Sequence, residues 1–293
     1  MVDTVLSGGW IIDGTRTPPY QADLCIQDGK IVAISPQWEG NCRTRVDVTG
    51  KIVSPGFIDI HTHSDTCPFS AVFPESKVAQ GITLEIVGNC GVSAVPILPS
   101  CQAEQTAYLR KISEIPVPEE AVRDASVQKY AAHVAQTGYP SHLGTLIGQG
   151  TLRAGIVGFQ DRPLTPSEME QMKFLLDDQL NQGALGLSLG LIYPPGSFSP
   201  TSELRELARV VQKHKKILAV HMRNEGPNIF QAVEEMLSIA EETGVHLHIS
   251  HLKLMGKAQW GQAPRLLERI EASRQRGAVV TCDQYPYTAT STI

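Results

Sequence analysis

The residues best able to do chemistry stand at the ends of short apolar stretches. Phe57-Ile58-Asp59-Ile60-His61-Thr62-His63 carries two histidines at i, i+2. On a strand the side-chain period is two, so both imidazoles point the same way. Imidazole nitrogens a few ångströms apart can hold a divalent transition metal. A pair of polar loop histidines is the plainer alternative. Cys90 stands three residues past the end of the stretch 82–87 and lies between Gly88 and Gly91. A thiolate there can ligate zinc, whereas a lone buried cysteine is usually inert. His221 ends the stretch 217–220, and His251 ends the stretch 247–250. Each alone reads as a satisfied loop histidine. Together, His61, His63, Cys90, His221 and His251 place donors at four strand ends that converge on one point, and this reads as a zinc centre.

The remaining histidines and cysteines read differently. His133 and His214 fall on helical stretches and are expected to be solvated. His142 and His246 begin strands and so sit at the wrong end. His248 is offset by three from His251 and is expected to face the opposite way. Cys25, Cys42, Cys67, Cys101 and Cys282 read as packing or bystander thiols.

The elements that must position the centre are strands alternating with helices. The strands are expected at 56–60, 82–87, 143–147, 184–189, 217–220, 247–250 and 278–282. Helical periodicity covers 167–182, 201–215 and 227–243, with further helix-like stretches at 103–113 and 119–137. Such alternation implies parallel strands with right-handed crossovers. The fold class is α/β, a TIM-like (β/α)8 barrel of about seven βα units, whose active site belongs at the C-terminal strand ends. A doubly wound open sheet is the rival. It would carry a glycine fingerprint after its first strand, where His61-Thr62-His63 stands instead. The segment 92–141 is long for one connection and reads as an insertion near the barrel mouth. Residues 1–54 read as a small β layer, with Gly8-Gly9, Asp13-Gly14 and Asp28-Gly29 as separators and hairpin signals. The expected domains are therefore 1–54 and 55–293.

The chain has 293 residues, 25 Lys and Arg against 30 Asp and Glu, and a formal charge of −5. No basic excess exists to bind nucleic acid. The apolar content of 42% excludes global disorder. No apolar run approaches the ~20 residues that span a bilayer, and the N-terminus lacks an export pattern. The six cysteines are scattered without disulfide-scaffold spacing, so a reducing, cytoplasmic setting is expected.

The stretch Pro55–Asp65 resembles the first-strand motif of the amidohydrolase superfamily. Gly88-Asn89-Cys90-Gly91-Val92-Ser93 narrows the resemblance to N-acyl-D-amino-acid deacylases (D-aminoacylases). So do Ser188–Gly196, His221-Met222-Arg223-Asn224-Glu225, Ser250-His251-Leu252-Lys253 and Asp283-Gln284-Tyr285-Pro286-Tyr287. The resemblance implies a metal-dependent hydrolase barrel whose N-terminal layer is part of a composite β-sandwich. It implies a zinc enzyme that cleaves N-acyl-D-amino acids to a carboxylate and a free D-amino acid. Cys90, His221 and His251 would hold the tight zinc. His61 and His63, with Cys90 bridging, would mark a second, weaker position. Lys253, Tyr285 and Ser291 would contact the substrate carboxylate, and Ile192 and Tyr193 would wall the side-chain pocket. The apolar Ile192 favours D-Leu, D-Met or D-Phe derivatives.

The resemblance also implies an aspartate general acid/base at the end of an eighth strand. That residue is expected beyond Ile293, in a missing C-terminal portion. The chain is accordingly expected to be a fragment, poorly stable and nearly inactive alone. Asp59 is expected to lie too deep to substitute, Asp65 to orient a ligand from behind, and Asp283 not to reach inward. Two other functions stay open: a cyclic-amide hydrolase or deaminase of the same superfamily, and a non-catalytic metal-binding fragment.

Overall fold

The computed structural model describes residues 1–70, 73, 75–113, 116–123 and 125–290, with only the backbone of residue 120. The chain divides into two compact units, Met1–Phe57 and Ile58–Ile293.

The first unit is one sheet. Its strands are β1 (Val2–Ile11), β2 (Tyr20–Gln27), β3 (Lys30–Ser35), β4 (Cys42–Asp47) and β5 (Ile52–Val53). Their order is β3-β2-β1-β4, with β5 also on β1. β2 runs antiparallel to β1 and β3, whereas β4 and β5 run parallel to β1. Asp28 and Gly29 have φ of 51° and 70°, the positive pair of a type I′ hairpin. Gly8-Gly9 differs from the sequence expectation. It does not separate two strands but lies inside β1, where the register shifts between Leu6 and Gly9. Such a bulge absorbs one extra residue and bends the strand. Asp13-Gly14 likewise opens a longer connection, in which the Asp13 carboxylate accepts from the Thr15 amide at 3.0 Å and its hydroxyl at 2.7 Å.

The barrel strands are β6 (Phe57–Asp59), β7 (Ile82–Val87), β8 (His142–Thr145), β9 (Ile147–Gly148), β10 (Gly186–Gly190), β11 (Ile217–His221), β12 (His246–Ile249) and β13 (Val280–Cys282). The helices are α1 (Glu75–Ala79), α2 (Gln102–Leu109), α3 (Glu119–Val122), α4 (Val127–Thr137), α5 (Gln149–Val157), α6 (Pro166–Asn181), α7 (Thr201–Lys213), α8 (Ile229–Thr243) and α9 (Ala263–Gln275). The strands run β6-β7-β8 and β9-β10-β11-β12-β13. One residue joins the two runs. Leu146 donates its amide to Val87 at 2.9 Å, and Leu185 donates to Thr145 at 2.9 Å. β8 and β9 are thus a single barrel strand that pairs with β7 at its start and with β10 at its end. The resulting order is sequential, without the reversal of a doubly wound sheet. The register pairs given for β7 through β13 are parallel.

Parallel strands are covered on both faces, and this chain shows how. Leu187, Leu189, Leu218, Val220, Leu247 and Ile249 are fully enclosed, packed in one cluster with helix residues such as Met172, Leu176, Leu204 and Met236. The residues between them, Ser188, Ala219 and His248, are buried on the other face, which is the barrel interior. Helix ends follow local chemistry. Thr165 and Glu168 exchange side-chain and backbone hydrogen bonds in a capping box that opens α6. The expected helix 119–137 is broken into α3 and α4 because Ser126 caps a new start. Among the described residues, no helix is long and apolar enough to cross a membrane.

Candidate metal centre

Cys90 sits in a turn that only a particular backbone can make. Its φ is +53°, with Gly88 at +77° and Gly91 at +78°. Side chains at either flank would collide with backbone, at Leu146 for Gly88 and at Gly190 for Gly91. Ser188 clamps the turn from β10: its hydroxyl donates to the Gly88 carbonyl and accepts from the Gly91 amide at 3.0 Å. The thiol is thereby held between two imidazoles. Its Sγ lies 3.3 Å from His61 Nε2 and 3.6 Å from His251 Nε2. Burial pushes the Cys90 thiol well above its ordinary value, and the carboxylates of Asp283 and Glu225 push it further.

His221 stands against this group, its ring centroid 4.4 Å from that of His251 and 4.8 Å from that of Tyr193. Both of its ring nitrogens are buried without a hydrogen-bond partner among the described residues. Burial, with His251 close by, lowers its pKa to about 3. His63 lies 5.5 Å from His61, ring to ring. Its Nδ1 is also buried without a partner among the described residues, and burial followed by the charge of His61 lowers its pKa to about 4. Among the described residues, two groups each bring one ligand atom per residue within 4.8 Å of one another: His61, Cys90 and His251, and His221, Glu225 and His251. His63 belongs to neither. The geometry therefore gathers the five sequence-derived donors at one end of the barrel, with His251 rather than Cys90 common to both groups. Buried nitrogens without partners are costly unless something accepts their lone pairs. An N/S donor set of this kind suits zinc.

The acidic residues around the centre take different roles. Asp283 does reach inward. Its Oδ2 accepts from His248 Nε2 at 2.8 Å and lies 3.3 Å from His61 Nδ1, and its Oδ1 accepts from the His251 amide at 2.6 Å. Burial alone would raise its pKa, but the bonds from His248 and His61 hold it well below the carboxylate range. The register explains the direction. His248 pairs with Thr281, so 248, 281 and 283 share the interior face. His248 thus joins the site through Asp283, against the expectation that it faces away. β12 ends at Ile249, and His251 turns inward in a left-handed conformation with φ of +39°.

Glu225 was not singled out from the sequence. Its Oε1 accepts from His251 Nδ1 at 2.9 Å and from Lys253 Nζ at 2.6 Å. Burial would raise its pKa, yet the His251 bond, His221 and the Lys253 bond bring it to about 2. The ammonium already on that oxygen occupies the place of a cation, so Glu225 anchors His251 better than it would ligate a metal. Its offset of four residues from His221, in a motif already quoted, was the available signal. Asp59 pairs with Lys77 and accepts from the His61 amide at 3.2 Å. Asp65 is buried and accepts from the Gly88 amide at 2.9 Å, so it props the cysteine turn. Its burial raises its pKa to about 7.

A cavity of about 1120 Å³ opens over the centre, lined by His61, His63, Cys90, His221, His251, Asp283, Tyr193 and Tyr285 among others. Lys253 Nζ lies 5.5 Å from the Tyr285 ring centroid. The Tyr285 hydroxyl is buried without a partner among the described residues. Ile192 is 40% exposed and does not line the cavity. Ser291 lies outside the described residues. His133 and His214 are only partly exposed and make contacts of their own: His133 stacks on Phe69 at 4.1 Å, and His214 binds Asp177 at 2.8 Å.

The sequence profile of the amidohydrolase family matches residues 44–278. The chain belongs to the amidohydrolase family. It is 36% identical over 291 residues to a D-aminoacylase of Alcaligenes xylosoxydans xylosoxydans, covering 99% of this chain and 58% of that protein. The N-acyl-D-glutamate deacylase of Bordetella bronchiseptica was solved with zinc and a phosphonate mimic of the reaction's tetrahedral intermediate. It superposes with a TM-score of 0.87 at 36% identity, over 98% of this chain and 59% of that one. An L-hydantoinase from Arthrobacter aurescens shares the fold alone, with a TM-score of 0.64 at 17% identity, over 98% of this chain and 59% of that one. The chain spans about three fifths of the length of the curated relatives it matches.

Proposed function

We propose that this amidohydrolase chain carries the zinc centre for hydrolysing the amide bond of N-acyl-D-amino acids. The observation that carries the proposal is the Cys90 thiol, set 3.3 Å and 3.6 Å from two imidazole nitrogens beside the unpartnered His221. The resemblance distinguishes its group by this cysteine, which replaces the carboxylated lysine of most amidohydrolases. Cys90, His221 and His251 would hold the tight zinc, and His61 and His63 a weaker ion. When bound, zinc supplies Lewis acidity to a water and to the acyl oxygen, which makes attack on an amide feasible near neutral pH.

The chain's own groups bind and orient the substrate. An ammonium has three hydrogens. Lys253 Nζ lies 2.6 Å from Glu225, 3.1 Å from the His251 carbonyl and 3.0 Å from His251 Nδ1; with His251 Nδ1 donating its own hydrogen to Glu225, the third ammonium hydrogen is available to a substrate carboxylate. The unpartnered Tyr285 hydroxyl is a second donor beside it. A carboxylate held there fixes which amide faces the centre. Tyr193 packs on His221 and borders the same cavity. The general acid/base implied by the resemblance is not assigned to Asp283, whose oxygens already meet three donors.

Calorimetry of the zinc-loaded chain with phosphonate analogues of N-acetyl-D-methionine, N-acetyl-D-glutamate and their L-enantiomers tests this reading. Binding is read in place of turnover, so the outcome does not depend on the acid/base aspartate. Zinc-dependent binding that favours D over L is expected. Failure to bind zinc, or a preference for hydantoins over linear N-acyl analogues, would overturn it.

A further inference from the structure

Asp283 plays no part in the chemistry proposed above, yet its contacts are directional. An ionised carboxylate only accepts, so His61 Nδ1 and His248 Nε2 must both carry hydrogens toward it. In a neutral His61 the lone pair then lies on Nε2, the atom that faces Cys90 Sγ at 3.3 Å. His248, donating at Nε2, must accept at Nδ1, where Thr281 Oγ1 stands 2.8 Å away. The Thr281 hydroxyl donates there and accepts from His246 Nε2 at 3.0 Å. A continuous chain of donors and acceptors therefore runs His246, Thr281, His248, Asp283, His61 along β12 and β13. The other imidazole beside the thiol has a mixed backing: His251 Nδ1 lies 2.9 Å from Glu225 and 3.0 Å from Lys253 Nζ, and its Nε2 also faces Sγ.

The geometry points to Asp283 as a positioning residue that sets the His61 tautomer. Through the His251 amide, it also braces the left-handed turn that presents His251. The His61 Nε2 lone pair is thereby aimed at the Cys90 pole of the centre, and the His251 ring is held facing the same thiol. This rests on the reading of that centre as a metal site. A carboxylate behind a ligating histidine fixes its tautomer and raises its basicity, and losing it costs about 10–100-fold in metal affinity. Asp283→Asn keeps the shape but offers one acceptor oxygen and an amide that opposes an imidazole N–H.

The test measures zinc affinity of parent and Asp283→Asn by competition with a chromogenic chelator. Circular dichroism checks the fold, and cobalt loading reports the thiolate-to-metal charge-transfer band. The expected result is about a 10–100-fold loss of zinc affinity and a shifted cobalt band, with the circular dichroism unchanged. Parent-like affinity and an unchanged cobalt band in a folded variant would overturn the inference. If the variant does not fold, the metal-free parent decides. Nitrogen-15 shifts of the His61 ring must report the Nδ1–H tautomer, and an Nε2–H tautomer would overturn the inference. A parent that binds no zinc would instead overturn the proposed function, and the His61 tautomer would then decide the role of Asp283 alone.

Discussion

The cysteine pole of the site and the wall that faces the substrate are built to different standards. At the cysteine pole the backbone is fixed by Ser188, by glycines at positive φ and by the buried Asp65. The wall is open. Tyr287 is 74% exposed and Ile58 62%, and the Tyr285 hydroxyl has no partner among the described residues. On the proposed function, the difference means that the fold itself sets the donor positions, whereas contacts to a substrate would form on binding. Preorganised donors need no rearrangement at the moment of use.

Removing the thiol breaks this contrast most severely. Cys90→Ala is expected to lower zinc affinity at least about a thousand-fold, on the order of 4 kcal/mol, measured by chelator competition. Retained affinity would place the metal elsewhere. The packing behind the thiol comes next. A Cβ at Gly190 would press on the carbonyl of Cys90 and the backbone of Gly91. Gly190→Ala should cost about 1–3 kcal/mol of stability as overpacking, read as a lowered Cm in urea, with weaker zinc binding. An unperturbed variant would show that the turn is not tightly held.

The acid–base state of the donors sharpens the comparison. Cys90 is protonated near neutral pH because burial raises its pKa, whereas His221 at about 3 and His63 at about 4 are already neutral. Metal binding must therefore expel the thiol proton but none from these two rings. Zinc affinity should rise about tenfold per pH unit across the neutral range, with proton release measured by calorimetry in buffers of different ionisation enthalpy. A flat profile would mean that the thiol is not a ligand. Outside the cavity lining the effect shrinks. Ile192→Ala should leave binding of a D-configured analogue within about 0.5 kcal/mol, as for an ordinary surface change. A large loss would put Ile192 in the pocket after all.

The sequence announces the cysteine pole better than the wall, for a physical reason. Strand parity and the rule that barrel sites gather at C-terminal strand ends place His61, Cys90, His221 and His251 from spacing alone. The same parity, carried past the end of β12, misplaces His248 relative to His251, because residue 251 leaves the strand in a left-handed turn. Asp283 needs the His248–Thr281 register, which no single stretch of sequence contains. Gly8-Gly9 reads as a break but folds as a bulge, since glycine serves both. The strand–helix order of the barrel is legible from alternation. The join at Leu146, where one barrel strand changes partners, depends on pairing across the sheet.

Zinc K-edge absorption of the metal-loaded chain probes the shared centre most directly. One sulfur at about 2.3 Å together with nitrogens at about 2.0 Å is the predicted shell. A shell of nitrogen and oxygen alone, with the Cys90 sulfur absent, would contradict the account.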